Sequence, residues 1–592
     1  MKKLFIFLVA AFHFQLQAQD LPVGFTNEEW DALMHGQYLV QHNGSRGIAT
    51  PPPNSNIRCM AEWEEIQCLT IAWISYPTIL KQIVANAKSQ TRVIILSEDV
   101  AATEAYLLAN NAGGPALANL DNVTILDASF DSVWMRDYAA NPAYGNEVDS
   151  LVLVDWIYNR PTRPNDDASP EYIAAELGIP LYEMTVAPED LVNTGGNWMS
   201  DGFGTAFASN LILEENAVGN PYGVTAKSEA AIDGIVNDYL GIDRYIKMPT
   251  LPYDGIHHID MHMKLLDEET LLVGEYPEGI SDGPQINANI EYILSNFQSK
   301  WNTPYRVIRI PMPNSTGGNW PSNGASYRTY TNAVFVNKMV ILPLYRTQYD
   351  TTALRIWNEA LPGFEIVGID CDNSTDNIIA ASGAIHCITH SVGVEDPLLI
   401  SHQSLTDTDN TVDPYSVVAY MNHRSGISQA KLYWKTTLTG AYSEVSMVSM
   451  GGNNWQGFIP AQPAGTRIYY YVEGIANAGK VQVRPIAAPQ GYWHFDVVDQ
   501  LVNTNELVLL ETKLFPNPAS ALTCLRLQSS YNTEAQIKLL DVMGREVLVL
   551  WNGDIAIGEK QIFFDVTDIP SGSYHIVITH QGGIQHQNLI VR

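Results

Sequence analysis

The chain has 592 residues, more than one hydrophobic core accommodates, since single cores stop growing at roughly 250–300 residues. Its hydrophobic fraction of 46% is ordinary for a globular protein and argues against extended disorder. Acidic residues (64) outnumber Lys and Arg (33), and the net charge of −31 argues against non-specific binding to nucleic acid or anionic membranes. Attraction of cationic substrates and simple solubility outside the cell both remain compatible with this charge.

The N-terminus has the pattern of a secretory signal peptide, which we place at residues 1–18. Lys2 and Lys3 precede an apolar run over residues 4–14, and the small Ala18 stands at the expected cleavage site. The run is too short to span a bilayer. Residues 19–54 end in three prolines at 51–53, which continue neither a helix nor a central strand. We expect this stretch to be an N-terminal extension.

Residues 55–393 alternate apolar strands with helical stretches. Strands are predicted at residues 93–96, 151–154 and 340–342. Helical spacing is present over residues 227–239, where one stripe holds Ala231, Ile232, Ile235, Val236 and Tyr239. This alternation predicts an α/β domain.

The same region contains an internal repeat. The pentapeptide at residues 194–198, Thr-Gly-Gly-Asn-Trp, recurs at residues 316–320. Residues 255–260 lie midway between the copies, residues 134–137 precede the first copy, and residues 383–387 follow the second. These landmarks are spaced by about 60 residues. Five modules around an axis would bring all five landmarks to one central site.

Short alternating strands replace the helical spacing after residue 393. They are predicted at residues 416–421, 431–434, 467–472 and 480–483, and they indicate a β-sandwich over residues 394–500. Residues 506–592 read as another small β-sandwich. The segments at 514–519 and 541–547 resemble the C-terminal sorting domain of the type IX secretion system of the Bacteroidetes. That resemblance implies export through the outer-membrane secretion machinery, to the medium or the cell surface.

Cys387 is the candidate nucleophile among five cysteines. It follows a Gly-containing apolar stretch in which backbone can approach a ligand closely. The alternative is a buried, inert thiol, the usual state of a free cysteine. His386 would point to the other face of a strand, so we do not choose it as the base. Cys59 and Cys68 lie close in sequence and could pair across a strand.

His258 and Asp260 are two residues apart, so a strand would place both on one face together with His262. Such a pair can serve as acid/base and cation anchor. A polar strand edge is one alternative, and a metal site of His257, His258 and His262 is another. Asp137, beside Trp134, can grip a cation covered by an aromatic ring, or can form a salt bridge or turn cap.

The residues above resemble the bacterial, Porphyromonas-type peptidylarginine deiminase and agmatine deiminase family over residues 55–390. The motifs that carry the resemblance are Ala61-Glu62-Trp63-Glu64, Trp134 with Asp137, Thr194-Gly195-Gly196-Asn197, His258 with Asp260, and Gly383 with Ile385-His386-Cys387. The resemblance implies a five-bladed α/β propeller. The following sandwich would be immunoglobulin-like, as in the secreted branch of the family.

The resemblance also implies roles for individual residues. Cys387 would attack the guanidinium carbon, and His258 would be the acid/base. Asp137 and Asp260 would hold the guanidinium nitrogens. In addition, Trp134 would pack on the substrate stem, and Asn332 would lie near the thiol. The reaction would need no cofactor and no catalytic metal, so any calcium or sodium would be structural.

Arg160 and Arg163 lie in a Pro-rich loop that resembles the family segment binding a C-terminal carboxylate, although Thr162 widens the spacing. The alternative is that Asp166 and Asp167 neutralise these arginines on the surface.

Three functional hypotheses follow: an exported protein-arginine deiminase, a deiminase of agmatine or free arginine, and a non-catalytic surface adhesin. The complete set of Cys, His and two Asp argues against the adhesin. The export signals favour arginine-containing peptides or proteins over small guanidines, because agmatine metabolism is normally intracellular.

Overall fold

The computed structural model describes residues 21–35, 47–53, 56–499, 510–529, 533–541, 544–556, 558–580 and 583–592. The predicted signal peptide lies outside these residues. The described residues form two compact units, one ending at Val497 and one beginning after it. None of the helices within these ranges is both long enough and apolar enough to cross a membrane.

Five separate sheets build residues 56–393, which we call the α/β region. In spatial order, the first sheet contains His390–Gly393, Ile66–Ala72, Arg92–Ser97 and Val123–Asp127. The second contains Arg58–Cys59, Asn141–Gly145, Ser150–Tyr158 and Leu181–Met184, and Val192–Asn193 also pairs with Ser150–Tyr158. The third contains Arg244–Met248, Thr205–Ser209 and Met199–Ser200, the fourth Met263–Leu265, Thr270–Glu275 and Arg306–Pro311, and the fifth Val334–Val336, Met339–Leu344 and Glu365–Asp370. Each sheet contains a parallel and an antiparallel pair. Among the described strands no sheet closes on itself, and the five-bladed propeller stays a prediction.

Helices connect the parallel strands, which confirms the α/β class. The α-helices of the region are Pro77–Ala87, Val100–Leu107, Met135–Tyr138, Pro164–Ala168, Pro170–Leu177, Leu211–Glu215, Glu229–Leu240, Gly283–Asn296 and Thr347–Ala360, and the 3₁₀ helices are Gly195–Asn197, Ile259–Met261, Pro321–Asn323 and Ile378–Ala381. The predicted helix at 227–239 is observed as Glu229–Leu240. The Ser228 side chain caps its first turn, and Gly241, at φ 68°, ends it. Its predicted stripe is buried except for Ala231, which is exposed.

Two antiparallel sheets build residues 394–497, which we call the sandwich region. The strands are Leu399–Ser401, Tyr415–Asn422, Asn454–Ile459 and Val448–Gly451 in one sheet, and Ser443–Ser446, Ile427–Lys435, Thr466–Ala476 and Val481–Arg484, with Trp493–Val497 beside Thr466–Ala476, in the other. Alternate residues such as Val417, Leu432 and Tyr470 meet in one apolar core. The four predicted strands overlap observed ones, whereas the immunoglobulin-like assignment stays a prediction.

The C-terminal unit also consists of two antiparallel sheets around its own core. The strands are Leu510–Phe515, Leu522–Ser529 and Gly558–Asp565, and Glu546–Ile555, Thr533–Asp541, Gly572–His580 and Gly583–Val591. The exact domain boundaries stay predictions.

Two local expectations are wrong. Residues 258–262 do not form a strand: Ile259–Met261 is a 3₁₀ turn that His258 precedes. The alternating apolar residues are nevertheless buried, because a tight turn also points Ile259 and Met261 inward. Cys59 and Cys68 form no disulfide, and they lie on strands of two different sheets.

Candidate active site

Five of the predicted site residues meet in one buried cluster of the α/β region, which we call the thiol cluster. Its members are Cys387, His258, Asp137, Asp260 and Asn332, and none is more than 1% exposed. They come from short helices and turns rather than from the middle of strands: Asp137 lies in the helix Met135–Tyr138 and Asp260 in the 3₁₀ helix Ile259–Met261. Cys387 lies in the turn between Ile378–Ala381 and His390–Gly393, and Asn332 lies two residues before the strand Val334–Val336.

Asn332 fixes the position of the thiol. Its amide nitrogen donates to Cys387 Sγ at 3.2 Å, and its Oδ1 accepts the backbone N–H of His386 at 3.0 Å. The backbone N–H of Arg136 donates to the Cys387 carbonyl at 3.0 Å. These bonds tie the turn that carries the thiol to two other elements, so the sulfur has a defined place in the cluster.

His386 connects Asp260 to Glu62, contrary to the expectation that it points away. Its Nδ1 lies 2.6 Å from Asp260 Oδ2, and its Nε2 lies 2.5 Å from Glu62 Oε1. Residues 385–388 form a turn rather than a strand, and therefore His386 and Cys387 reach the same carboxylate. Asp260 Oδ2 is 3.8 Å from Cys387 Sγ. Both ring nitrogens of His386 therefore face carboxylate oxygens.

His258 lies between Asp137 and Thr194. Its Nδ1 is 3.6 Å from Asp137 Oδ1, too far for a hydrogen bond, and its Nε2 is 3.5 Å from Thr194 Oγ1. The Gly196 backbone N–H donates to Asp137 Oδ1 at 3.2 Å. A Cβ at Gly196 would stand 2.2 Å from His258 Nδ1, so only glycine fits there.

The two copies of the repeated pentapeptide differ in the structure. Residues 194–197 are fully buried beside His258, whereas residues 316–319 form an exposed turn. A Cβ on Gly318 would meet nothing within 4 Å, and this glycine has φ 82°. Close approach therefore requires glycine in the first copy, and turn geometry favours it in the second.

The three predicted substrate-binding residues are buried and lie against residues 21–29. Trp134 is 0% exposed, Arg160 5% and Arg163 1%. Asp166 does not neutralise the arginines by direct pairing; it accepts hydrogen bonds from Ser132 and from backbone N–H groups.

Comparison with known families places this cluster in context. A family model described as Porphyromonas-type peptidyl-arginine deiminase matches residues 58–392, which carry every residue of the thiol cluster. The chain belongs to this family. It is accordingly an enzyme of the guanidino-group hydrolase class, and the adhesin hypothesis is dropped. A second model, described as a secretion system C-terminal sorting domain, matches residues 513–592 and indicates export to the cell surface or the medium.

Individual relatives match more than half of this chain at low identity. A Vibrio parahaemolyticus protein named "Putative agmatine deiminase" is 21% identical over 373 residues, 58% of this chain and 99% of the relative. A Marinomonas protein of the same name is 23% identical over 388 residues, 59% of this chain and 97% of the relative. The solved agmatine deiminase of Enterococcus faecalis is 18% identical, has a TM-score of 0.48, and covers 58% of this chain and 99% of its own.

Burial and the two carboxylates determine the charge states in the thiol cluster. Burial, then Asp260, raises the pKa of Asp137 to about 7. Burial also opposes ionisation of Asp260, but the hydrogen bond and charge of His386, with His258 and Arg136, outweigh it and lower the pKa of Asp260. Burial lowers the pKa of His258 to about 3, so this imidazole is neutral at pH 7.

The thiol itself is held in the neutral form. Burial, Asp260 and Asp137 together raise the pKa of Cys387 well above its usual value. Burial and the two carboxylates therefore favour a protonated, unreactive thiol. A cation placed between the thiol and the carboxylates would offset the effect of both carboxylates on the pKa of the thiol.

Within the described ranges, no three His, Cys, Asp or Glu side chains are grouped as metal ligands. The predicted absence of a catalytic metal or other cofactor stays a prediction.

Sequence reasoning gave no role to Glu62, although it lies in one of the motifs of the family resemblance. Glu62 pairs with Lys264 at 2.5 Å and with Arg136 at 3.0 Å, besides His386. Burial opposes its ionisation, but His386, Lys264 and Arg136 lower the pKa of Glu62 well below its usual value. The position of Glu62 beside a tryptophan in a family motif was the feature of the sequence that could have indicated a role. Its partners lie about 70 to 325 residues away along the chain, so no local pattern shows these contacts.

Glu62→Gln is expected to lower kcat/KM about tenfold, because His386 loses the carboxylate that holds it against Asp260. KM and the pH profile of kcat/KM should both change while Tm stays the same. A residue that only stabilised the fold would lower Tm and would leave the pH profile unchanged. Glu65→Gln is the matched control, since Glu65 pairs with Lys480 of the sandwich region instead. Equal kinetics in the two variants would contradict the positioning role.

Proposed function

We propose that the protein is an exported protein-arginine deiminase, which converts the arginine guanidinium to the citrulline ureido group and releases ammonia. One observation carries the proposal. Asp137 Oδ2 and Asp260 Oδ1 are buried with no protein hydrogen-bond partner, in the same cluster as the Cys387 thiol. Two such acceptors suit a ligand with several N–H donors and positive charge, and a guanidinium offers five donors in a plane.

The proposed reaction uses two displacements at the guanidinium carbon. His258 takes the Cys387 proton, and the thiolate attacks the carbon. The C–N bond to the terminal nitrogen then breaks, and that nitrogen takes a proton from His258 and leaves as ammonia, so that a thiouronium remains on Cys387. Water attacks the same carbon after giving a proton to His258. The C–S bond breaks, His258 returns its proton to the thiolate, and the hydroxyl proton of the product passes to the released ammonia as ammonium, which leaves the neutral ureido group.

Substrate binding supports the first of these steps electrostatically. The carboxylates of Asp137 and Asp260 by themselves oppose formation of a thiolate. The guanidinium neutralises them and places a positive charge beside the sulfur, which lowers the pKa of the thiol. The neutral His258 is then available as the base, because burial has kept it unprotonated.

The choice of a peptide substrate rests on two features. The sorting domain marks the chain for export, where proteins and peptides supply arginine. Arg160 and Arg163 stand near Trp134 with guanidinium groups suited to bidentate binding of a carboxylate. The names of the curated relatives favour agmatine instead, and this small-molecule activity is the second candidate.

The substrate test is ammonia release from peptides ending in free arginine, the same peptides amidated, peptides with internal arginine, free arginine, and agmatine. We expect free C-terminal arginine to give a kcat/KM about tenfold or more above the amidated peptide, because one charge-assisted pair is lost in the latter. The Arg160→Ala, Arg163→Ala double variant should bring this ratio to about one. Partial unfolding of the variant would lower kcat/KM for both peptides by the same factor, so it would not change the ratio. If agmatine is the best substrate of the unaltered protein, the peptide assignment is wrong.

A further inference from the structure

The segment of residues 21–35, which we call the N-terminal segment, is anchored on the α/β region. Its helix Asn27–Met34 begins with a capping box, in which Thr26 and Glu29 satisfy each other's backbone N–H groups. Leu33 is 2% exposed and packs in a small core with Ile157, Val192 and Tyr222. The segment is therefore a folded element, with its own cap and its own apolar contact.

Backbone atoms at the start of this segment contact all three predicted substrate-binding side chains. Trp134 Nε1 donates to the carbonyl of Leu21 at 2.8 Å, and Arg160 Nε donates to the carbonyl of Val23 at 2.9 Å. Arg163 Nη2 donates to the carbonyl of Gly24, also at 2.9 Å. These donors are therefore used by the protein itself.

The same stretch contacts the chain that leads to the thiol. The Val23 backbone N–H donates to the Ala381 carbonyl at 3.0 Å, and Val23 is completely buried. A Cβ at Gly383 would lie 2.9 Å from the Val23 side chain and 2.3 Å from Trp134. Gly383 is four residues before Cys387, so the segment packs tightly over the approach to the thiol cluster.

Glu29 binds Arg163 in the way that a substrate carboxylate would. Its Oε1 accepts from Arg163 Nε and its Oε2 from Arg163 Nη2, both at 2.9 Å, and Thr162 Oγ1 donates to Oε1 at 2.8 Å. The Phe25 ring stacks on the Arg160 guanidinium, with 4.4 Å between the guanidinium carbon and the ring centroid. Burial opposes ionisation of Glu29, but Arg163 lowers the pKa of Glu29 to about 2, so the pair is charged at neutral pH.

We propose that the N-terminal segment is an intramolecular inhibitor that occupies the peptide-binding entrance, with Glu29 in the place of the substrate's terminal carboxylate. This inference rests on the proposed function, because that function assigns Arg160, Arg163 and Trp134 to the substrate. The segment and the peptide would then compete for the same three side chains. Removal of the segment would expose the entrance and free both arginines.

The test uses the full chain with residues 38–44 replaced by the recognition sequence of a site-specific protease. After cleavage and removal of the released segment, kcat/KM on peptides ending in free arginine should rise about tenfold or more, because one charge-assisted bidentate pair no longer competes. Alkylation of Cys387 by chloroacetamidine, a small amidinium electrophile followed by intact mass, should accelerate as well. A synthetic peptide of residues 21–35 should reverse both effects, and the same peptide with Glu29→Gln should do so only weakly.

A second variant needs no cleavage. Glu29→Gln in the uncut chain should raise kcat/KM several-fold, whereas Glu28→Gln, at an exposed neighbouring position, should have no effect. If turnover and alkylation are the same with and without the segment, the inhibition is refuted while the proposed function stands. If alkylation accelerates but no peptide is converted, the segment does close the site and the assignment of a peptide substrate fails instead.

Discussion

Cys387→Ser is expected to lower kcat at least about a thousandfold on every guanidinium substrate. A serine hydroxyl is a far weaker nucleophile at neutral pH. The base in this cluster is also a poor one for an alcohol, since burial lowers the pKa of His258 to about 3. In the unaltered protein the bound guanidinium lowers the pKa of the thiol. The pKa of a serine hydroxyl is much higher, so the same electrostatic effect leaves the hydroxyl un-ionised. Ammonia release under saturating substrate measures the loss directly.

Cys371→Ser is the matched control for this experiment. Cys371 is also 0% exposed in the α/β region, and its thiol donates to the Ile369 carbonyl at 3.5 Å. Both variants therefore place a hydroxyl in a buried site, and both Tm values should be compared with that of the unaltered protein. Retained turnover in Cys387→Ser, or equal losses in the two variants, would show that this thiol is not the nucleophile.

Local patterns in the sequence predicted several of the strands and one helix, and the motif resemblance predicted which residues form the cluster. Apolar runs such as residues 93–96 and 340–342 lie within observed strands, because burial on both faces of a parallel sheet is visible in composition alone. The residues Cys387, His258, Asp137, Asp260 and Asn332 are brought together, as the motif resemblance implied.

The contacts that were not predicted connect residues far apart or depend on tight turns. The strand interpretation separated His386 from Cys387, and a turn at residues 385–388 brings both to Asp260. Alternation of two residues cannot distinguish a strand from a short 3₁₀ turn. The pairing of Glu29 with Arg163 spans 134 positions along the chain, and no periodic pattern encodes such a contact.

Asp137→Asn and Asp260→Asn are each expected to lower kcat/KM more than tenfold, since each removes a charge-assisted contact to the substrate cation, of about 1.5–3 kcal/mol. The Asp260 variant should lose more, because Asp260 also accepts from His386 and lies 3.8 Å from the Cys387 sulfur. Wild-type kinetics in both variants would mean that the guanidinium binds elsewhere.

The two carboxylates should also differ in their pH dependence. The pKa of Asp137 is raised to about 7 by burial and by Asp260, so its carboxyl is protonated below that pH and ionised above it. A cation binds the ionised form, and kcat/KM reports the free enzyme, so kcat/KM should rise as the pH increases from about 6 to 8. Asp137→Asn should remove this rise. Asp166→Asn should keep it, although burial also raises the pKa of Asp166 to about 7, because Asp166 accepts from Ser132 outside the thiol cluster. The lower pKa of Asp260 keeps this carboxylate ionised throughout the range, so Asp260→Asn should lower the whole profile. Because the charge of Asp260 also raises the pKa of Asp137, this variant should shift the midpoint to lower pH.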